Sequence, residues 1–442
     1  MAGENILETA KQAIKIARDK GAAEVAAAAT RQREVAVVWR EGKLEKITEA
    51  TTRRLDLRLY VDGRYAAMAT SDLRPEALGS FLENAIALTR TLSPDPFRSL
   101  PDPALYQGQA AADLQIEDPR YSAVTAVERR QKAQALEEAA RAVKGSEAIL
   151  SVTTGFSDTA AEVHRVHSNG FEGSRRTTNF SVYAETTVKD ADGRRPEDYA
   201  EGSARFYADL PDVAVVGRGA TERALGCVGA KKIASAVMPV VVDNRIADNL
   251  LHRLELALYG SALQQKRSFL DGKLGQPIGS AKLTVDDDPL LPRGLGSRLW
   301  DSEGIAAKRR PIFEGGVLQS YFIDTYYGKK LKATPTSANS TNYVWKLGDR
   351  DQAALIADLK QGVLITRFLG GNSNSTTGDF SFGIRGFAIR RGKLAEPIAE
   401  MNISGNHLDL WKRLSAVGND PYPHSSSRTP TLVFDGLQLA GT

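Results

Sequence analysis

The stretch VMPVVVDNRIADNLLHRLELALYGSALQQKRSF, residues 237–269, organises the C-terminal half of this 442-residue chain. Residues 237–242 form an apolar run, which predicts a buried strand. From 243 to 269 the spacing of apolar residues predicts one long helix, which the short polar side chain of Asp243 or Asn244 would cap. The apolar positions are Ile246, Leu250, Leu251, Leu254, Leu258 and Ala262. We therefore expect a strand that leads directly into an amphipathic helix.

His252 is the one histidine on this predicted helix, and its neighbours are not zinc ligands. A zinc-binding helix typically carries two histidines four residues apart, with a glutamate beside the first as general base. Here Arg253 follows His252, and neither position 256 nor Ala257 is a histidine. The nearest carboxylate is Glu255. Since one imidazole beside a guanidinium is a poor metal site, the sequence predicts no metal ligand and no catalytic residue on this helix.

Beyond the predicted helix come several short stretches with a fixed order. They are Ser268-Phe-Leu-Asp-Gly-Lys-Leu-Gly275, Val285-Asp-Asp-Asp-Pro289, Pro292-Arg-Gly-Leu-Gly-Ser297, Asp301-Ser-Glu-Gly304, Gly378-Asp-Phe-Ser-Phe-Gly383, Ile403-Ser-Gly-Asn406 and Val417-Gly-Asn419. With the strand and helix before them, they resemble the C-terminal half of the TldD/TldE (PmbA) family over about residues 237–441. The N-terminal half has the length and element order of that family.

The resemblance places the chain in one of two branches. The TldD branch resembles a metalloprotease with a His-Glu-x-x-x-His helix and a later cysteine ligand. Laid on this chain, the first histidine falls on His252, the glutamate on Arg253 and the second histidine on Ala257. No cysteine follows Cys227. The chain is therefore similar to the TldE/PmbA branch, the partner that lacks the metal.

Composition is that of an ordinary soluble protein with two or three domains. The net charge of +4 argues against a dedicated nucleic-acid binder and against a membrane-surface protein. A single cysteine excludes a disulfide framework and fits a reducing compartment. The N-terminus lacks the apolar core of a signal peptide, and no run approaches the ~20 apolar residues of a membrane helix. We therefore expect a cytoplasmic protein.

Periodicity and turn signals predict an α+β fold in four parts. An N-terminal α+β unit over 1–92 begins with a helix over 4–19, and a proline-punctuated linker follows over 93–120. A second α+β unit covers 121–232, and a β-rich C-terminal domain over 233–442 carries the one long helix. The many strands after that helix suggest a curved sheet or a barrel-like half.

Seven polar residues are candidates for the lining of a peptide cleft. They are His252, Arg293, Asp301, Glu303, Asn372, Ser373 and Asp379. The segment 370–378, rich in glycine and hydroxyl side chains, is expected to line the same kind of cleft. The carboxylates of residues 286–288, with Asp301 and Glu303, could hold a hard cation, although acidic residues at a strand end commonly face solvent.

The resemblance implies a non-catalytic subunit of a TldD/TldE-type metalloprotease complex that processes or degrades unfolded or short peptides. Zinc would belong to a TldD-like partner, and this chain would need no cofactor. An extended peptide would pair with an exposed strand of the β-rich half, a mode that requires little side-chain specificity. A homodimer that uses the same surface is the other possible assembly.

Two further interpretations remain open at the level of sequence. The first is a stand-alone peptidase or hydrolase, possibly homodimeric, that uses His252, Glu255 or the region 286–288 instead of a helix metal site. The second is a regulator that acts on nucleic acid. The near-neutral charge argues against the second, because binding to the phosphate backbone relies on a surplus of basic residues.

Overall fold

The computed structural model describes residues 5–442, and six strands of its N-terminal half form one antiparallel sheet. In chain order they are β1 (Glu24–Arg40), β2 (Lys43–Val61), β3 (Arg64–Thr70), β4 (Ile149–His167), β5 (Glu172–Val188) and β6 (Glu197–Ala204). The order across the sheet is β3-β2-β1-β4-β5-β6. Strands from the predicted units 1–92 and 121–232 therefore share one sheet, joined where β1 pairs with β4.

One face of this sheet is covered by helices. They are α1 (Ile6–Asp19), α2 (Pro75–Arg90), α3 (Ala126–Arg141) and α4 (Val213–Leu225). The predicted start of the first helix, residue 4, lies outside the described residues. Because side chains alternate along a strand, Ala27 and Ala29 pack beneath α1 and α2, whereas Ala26 and Ala28 lie on the opposite face. That opposite face meets the C-terminal half.

A buried ion pair fastens α3 to the sheet. The Arg129 side chain is 5% exposed and the Asp158 carboxylate is fully buried. Arg129 Nη2 donates to Asp158 Oδ1 over 3.0 Å, and Arg129 Nη1 donates to the Val124 carbonyl over 2.7 Å. A buried ion pair of this kind depends on both partners, since either one alone is an uncompensated charge.

Ten strands form the C-terminal half. They are β7 (Ala236–Val242), β8 (Val285–Asp287), β9 (Arg310–Glu314), β10 (Val317–Leu318), β11 (Tyr343–Trp345), β12 (Gln361–Ser373), β13 (Asp379–Arg390), β14 (Lys393–Asn406), β15 (Leu414–Val417) and β16 (Leu432–Ala440). One sheet has the order β14-β13-β12-β7-β16-β15, and a further pairing of β14 with β16 closes five strands into a ring. The expectation of a barrel-like half is confirmed. A smaller sheet has the order β10-β9-β8-β11.

The helices of this half are short. They are α5 (Asp248–Glu255), α6 (Gly260–Gln264), α7 (Thr325–Leu331), α8 (Gln352–Ala357) and α9 (His407–Lys412). Across residues 5–442, no helix combines the length and the apolar character needed to cross a bilayer.

The prediction of one long helix over 243–269 is wrong, although every residue of its apolar stripe except Ala262 is buried as expected. The Asp243 side chain accepts from the Arg245 N–H in a turn, and α5 begins only at Asp248, without a side-chain cap. A 3-10 turn follows α5, and Tyr259 is extended. The Gly260 N–H donates to the Phe322 carbonyl over 2.8 Å. This contact with a distant segment replaces a helical hydrogen bond and divides the helix.

Replacement of Asp158 by alanine is expected to destabilise the protein by about 3–5 kcal/mol, because the Arg129 charge would stay buried without its partner. Urea unfolding followed by circular dichroism measures the loss. Asp72→Ala is the control, since it breaks an ion pair with Arg74 on the exposed surface and should leave the unfolding midpoint unchanged. Equal midpoints for the two variants would contradict the assigned role.

Candidate functional site

An open strand edge of the barrel lies beside α5. β12 pairs in parallel with β7 only from Val363 to Ile365. Beyond Ile365, the side of β12 that faces away from β13 has no strand partner within the described part of the chain. Residues 369–372 of this segment are exposed. Unpaired backbone N–H and C=O groups of such an edge can pair with another chain.

A groove of about 100 Å³ separates this open edge from α5; we call it the α5 groove. Its lining residues are Asn249, Leu250, Arg253, Phe368, Gly370 and Phe382. The glycine-rich segment 370–378 contributes Gly370 to this groove. The groove combines apolar walls with one guanidinium beside an unpaired backbone.

The β6 edge of the N-terminal sheet, by contrast, is covered by side chains. Alternate carbonyls of β6 accept hydrogen bonds from side chains. The pairs are Arg385 and Arg367 with Glu197 O, Arg223 with Tyr199 O, Tyr422 with Glu201 O, and His424 Nδ1 with Ser203 O. Because its acceptors are occupied, β6 is a poor template for a further strand.

His252 takes part in a polar cluster on the other side of α5. Its Nδ1 lies 3.0 Å from Glu255 Oε2, and its Nε2 lies 3.0 Å from Ser427 Oγ. The buried Glu255 carboxylate also accepts from the Tyr259 hydroxyl and from Ser340 Oγ, the latter over 2.7 Å. The carboxylate thus accepts from three side chains, and the imidazole has a partner at both nitrogens.

These contacts shift the pKa values of His252 and Glu255 in the directions that favour their charged forms, an imidazolium and a carboxylate. The hydrogen bond with Glu255 raises the pKa of His252 against the opposing effect of burial. Burial by itself would raise the pKa of Glu255, but hydrogen bonds from His252, Tyr259 and Ser340 outweigh it and lower that pKa. The cation of His252 therefore persists to a higher pH than that of an unperturbed histidine, and a metal ion would have to displace its proton.

The donor set around α5 does not fit a zinc ion. Arg253 stands in the α5 groove, and Ala257 is fully buried and offers no donor. No group of three or more His, Cys, Asp or Glu side chains comes together as a ligand set anywhere in residues 5–442. Burial and the nearby Arg253 charge also lower the pKa of the buried His407 to about 4.

Three of the predicted cleft residues lie between the two halves of the molecule. Arg293 Nη1 bonds Asp209 over 2.9 Å. The buried Asp301 carboxylate accepts from the backbone N–H groups of Glu303 and Ile305. Glu303 Oε2 accepts from the Thr325 N–H at the start of α7 over 2.8 Å. Arg293, Asp301 and Glu303 therefore hold the local chain in place through these bonds, and none of them lines the α5 groove.

The remaining predicted cleft residues, Asn372, Ser373 and Asp379, lie together around the β12–β13 hairpin. Asn372 pairs with Ser381 across the hairpin. Ser373 Oγ lies 2.9 Å from His407 Nε2, and the Asp379 carboxylate accepts from Asn406 Nδ2 over 3.0 Å. Asn372 and Ser373 thus belong to the open segment of β12, which also supplies Gly370 to the α5 groove.

The acidic run 286–288 does not converge on one point. Asp286 pairs with Arg309 at 2.6 Å, and Asp288 Oδ1 accepts from the Leu290 N–H. Asp287 is fully buried and accepts from Thr341. Burial raises the pKa of Asp287. Asp286 and Asp288 share the guanidinium of Arg309, whereas Asp287 is engaged by Thr341.

Comparison with protein families matches most of the chain. Residues 25–89 match PmbA/TldA metallopeptidase domain 1, residues 119–228 the central domain, and residues 235–441 the C-terminal domain. The metalloprotease PmbA of Escherichia coli O157:H7 is 28% identical and aligns over 100% of this chain and 97% of its own. The metalloprotease PmbA homolog of Haemophilus influenzae is 27% identical, over 97% and 94% respectively.

Solved structures share the fold. A candidate modulator of DNA gyrase from Bacteroides thetaiotaomicron is 39% identical with a TM-score of 0.96, and the match covers 100% of both chains. TldE from Thermococcus kodakarensis has a TM-score of 0.86 at 19% identity, over 98% of this chain and 100% of its own. The latter likeness concerns the fold alone.

The imidazole of His252 is expected to titrate above the ordinary value of 6.5, and Glu255→Gln should lower its pKa, because the stabilising carboxylate is gone. NMR of the histidine ring signals between pH 5 and 9 measures both. Ser427→Ala removes the partner of the other nitrogen without a change of charge and should have a smaller effect. A His252 pKa that Glu255→Gln leaves unchanged would disprove the coupling.

Proposed function

Since this chain belongs to the PmbA/TldD family, we propose that it is a TldE/PmbA-like, non-catalytic subunit of a TldD/TldE-type metalloprotease complex. The complex would process or degrade unfolded or short peptides in the cytoplasm. In this proposal zinc is bound by a TldD-like partner, and the present chain needs no cofactor. Its own task is to hold the peptide backbone.

The α5 groove is the observation that carries this proposal. It places Arg253 beside an open strand edge, and the buried Ala257 one turn further on supplies no metal donor. The walls contributed by Leu250, Phe368 and Phe382 are apolar. A site of this kind suits an extended chain held through its backbone, with hydrophobic contacts to alternate side chains.

Backbone pairing also accounts for the proposed breadth of substrates. The hydrogen-bonding groups of an extended peptide are the same in every sequence, so a strand edge selects for an unfolded conformation rather than for a particular side chain. A folded protein has its backbone groups already paired. The open segment of β12 would therefore favour short or unfolded peptides.

Metal analysis distinguishes a non-catalytic subunit from a stand-alone metal-dependent enzyme. The purified chain alone is expected to hold no stoichiometric zinc and to cleave no unfolded peptide, because α5 lacks the donors for a tight site. Mixed with a TldD-like protein, it should co-elute with that protein in a zinc-containing, active fraction. Stoichiometric zinc together with peptide turnover by the isolated chain would overturn the proposal, and self-association without the partner would favour the homodimer.

Leu369→Asp is expected to weaken the binding of an extended peptide by about tenfold or more, since it puts a charge on the open edge. The matched control is Leu394→Asp on β14. Both leucines belong to the barrel and are about equally exposed, at 46% and 48%. Fluorescence anisotropy with a labelled peptide measures the affinities. If an alternately N-methylated peptide binds as tightly as the unmodified one, backbone pairing is not the mode of binding.

One arrangement favours a second candidate, a serine hydrolase independent of metal. Ser427, His252 and Glu255 are linked in the order nucleophile, base and orienting carboxylate, each link measuring 3.0 Å. A cleft of about 490 Å³ runs close to them. Among its lining residues are Asp248, Ser425 and Ser426.

One feature weighs against this second candidate. Ser427 is 1% exposed, so a substrate could reach its hydroxyl only after the chain moves. Treatment with a fluorophosphonate probe decides the matter: labelling at Ser427 that disappears in His252→Ala would support the hydrolase, and absence of labelling would remove it.

A further inference from the structure

Four arginines lie on the face of the N-terminal sheet that has no covering helices. Arg165 of β4 pairs with Gly173 of β5, two residues before Arg175, so Arg165 and Arg175 share a face. Arg54 and Arg58 of β2 lie on that face as well. The backbone register alone therefore brings four positive side chains to one side of the sheet.

Only two of these four arginines have a carboxylate partner. Arg54 Nε lies 2.8 Å from Asp56 Oδ1, and Arg58 Nη1 lies 3.6 Å from Glu303 Oε1. Between residues 5 and 442, no ion pair or side-chain hydrogen bond engages Arg165 or Arg175, and Arg165 Nε is a buried donor without an acceptor. A buried donor without an acceptor is costly.

The positive charges at this place also repel one another. Burial and the charges of Arg58 and Arg175 lower the pKa of Arg165 to about 10, against the opposing effect of Asp301 and Asp56. Burial, followed by the charge of Arg298, lowers the pKa of Arg175. An anion placed between the guanidinium groups would reverse this effect, because an opposite charge stabilises the protonated form.

Space for such an anion exists. Arg165 and Arg175 line a cleft of about 450 Å³. The cleft wall includes small residues, namely Ala26, Ala28, Ala67 and Ala69. Arg175 also lines a second cleft of about 500 Å³, together with Arg298 and Trp300. Volumes of this order are typical of sites for small organic ligands.

The ring of Trp300 contacts the guanidinium groups of both unpaired arginines, Arg165 and Arg175. Its ring centroid lies 5.3 Å from the Arg175 guanidinium carbon and 5.9 Å from that of Arg165, within the range of cation–π attraction. A Cβ atom at Gly173 would lie 2.8 Å from Trp300 Nε1, so glycine at this position is what allows the ring to sit there. The guanidinium groups are thus held in place before a ligand arrives.

We propose that Arg165 and Arg175 form a binding site for an oxyanion, a carboxylate or a phosphate carried by a small molecule or by the end of a longer one. The planar fork of a guanidinium matches both groups through paired N–H donors. Alanines in the cleft wall leave room for the carbon skeleton that bears the anion. This site lies on the N-terminal sheet and does not depend on the proposed role in peptide cleavage.

Isothermal titration of the isolated chain with inorganic phosphate and with succinate, at constant ionic strength set by sodium chloride, tests the site. Saturable binding of at least one of the two anions is expected, and the preferred anion tells whether the site selects a tetrahedral or a carboxylate group. Arg165→Gln and Arg175→Gln should each weaken that binding by about tenfold or more. Arg165→Lys keeps the charge but loses the fork, and it should weaken binding as well.

The control is Arg74→Gln, which removes the same charge from an exposed pair with Asp72 and should bind the anion as the unaltered chain does. Circular dichroism verifies that each variant is folded, and Arg165→Lys and Arg175→Gln decide the outcome if Arg165→Gln is not. Absence of saturable heat with both anions overturns the proposal. Equal affinity of the folded variants and the unaltered chain overturns it too.

Discussion

The short pairing of β14 with β16 closes the C-terminal barrel, and the location of the candidate site depends on it. The contact involves Asn402 with Ala440 and Ile403 with Leu439. A closed ring has no free edges, except where neighbouring strands differ in length. β7 has 7 residues and β12 has 13, and their parallel pairing ends at Val242 and Ile365. The chain that leaves β7 at this end forms α5, so the helix lies beside the unpaired continuation of β12.

Much of this arrangement is accessible from the sequence, and the remainder depends on contacts between distant segments. The apolar run before Asp243 predicts β7, and the spacing of Leu250, Leu251 and Leu254 predicts their burial. The end of the helix is not predictable in the same way, because it is set by a hydrogen bond from Gly260 to Phe322. Apolar spacing indicates which residues face a core, but it does not indicate where contact with a remote segment ends a helix.

The residues of the candidate site also divide into those that the sequence predicts and those whose role depends on distant contacts. Asn372 and Ser373 belong to the open segment of β12, whereas Asp301 and Glu303, which stand in equally short motifs, cap turns and a helix start. Polar residues next to glycine serve both purposes, so a motif alone does not distinguish them. The partner of His252, Ser427, lies 175 positions away. Arg165 and Arg175 share one face of the sheet because of the strand register, which the sequence alone does not reveal.

The side chains along β6 have a further consequence for how the two halves depend on each other. Of the residues that cap its carbonyls, Arg223 comes from α4, while the others belong to the C-terminal half. The protection of this strand therefore exists only while the halves remain docked. A fragment cut near residue 233, or a nascent chain that has not yet emerged beyond it, would keep the Arg223 bond but leave the carbonyls of Glu197, Glu201 and Ser203 without their side-chain donors. We expect such a species to be more prone to intermolecular strand addition than the intact chain.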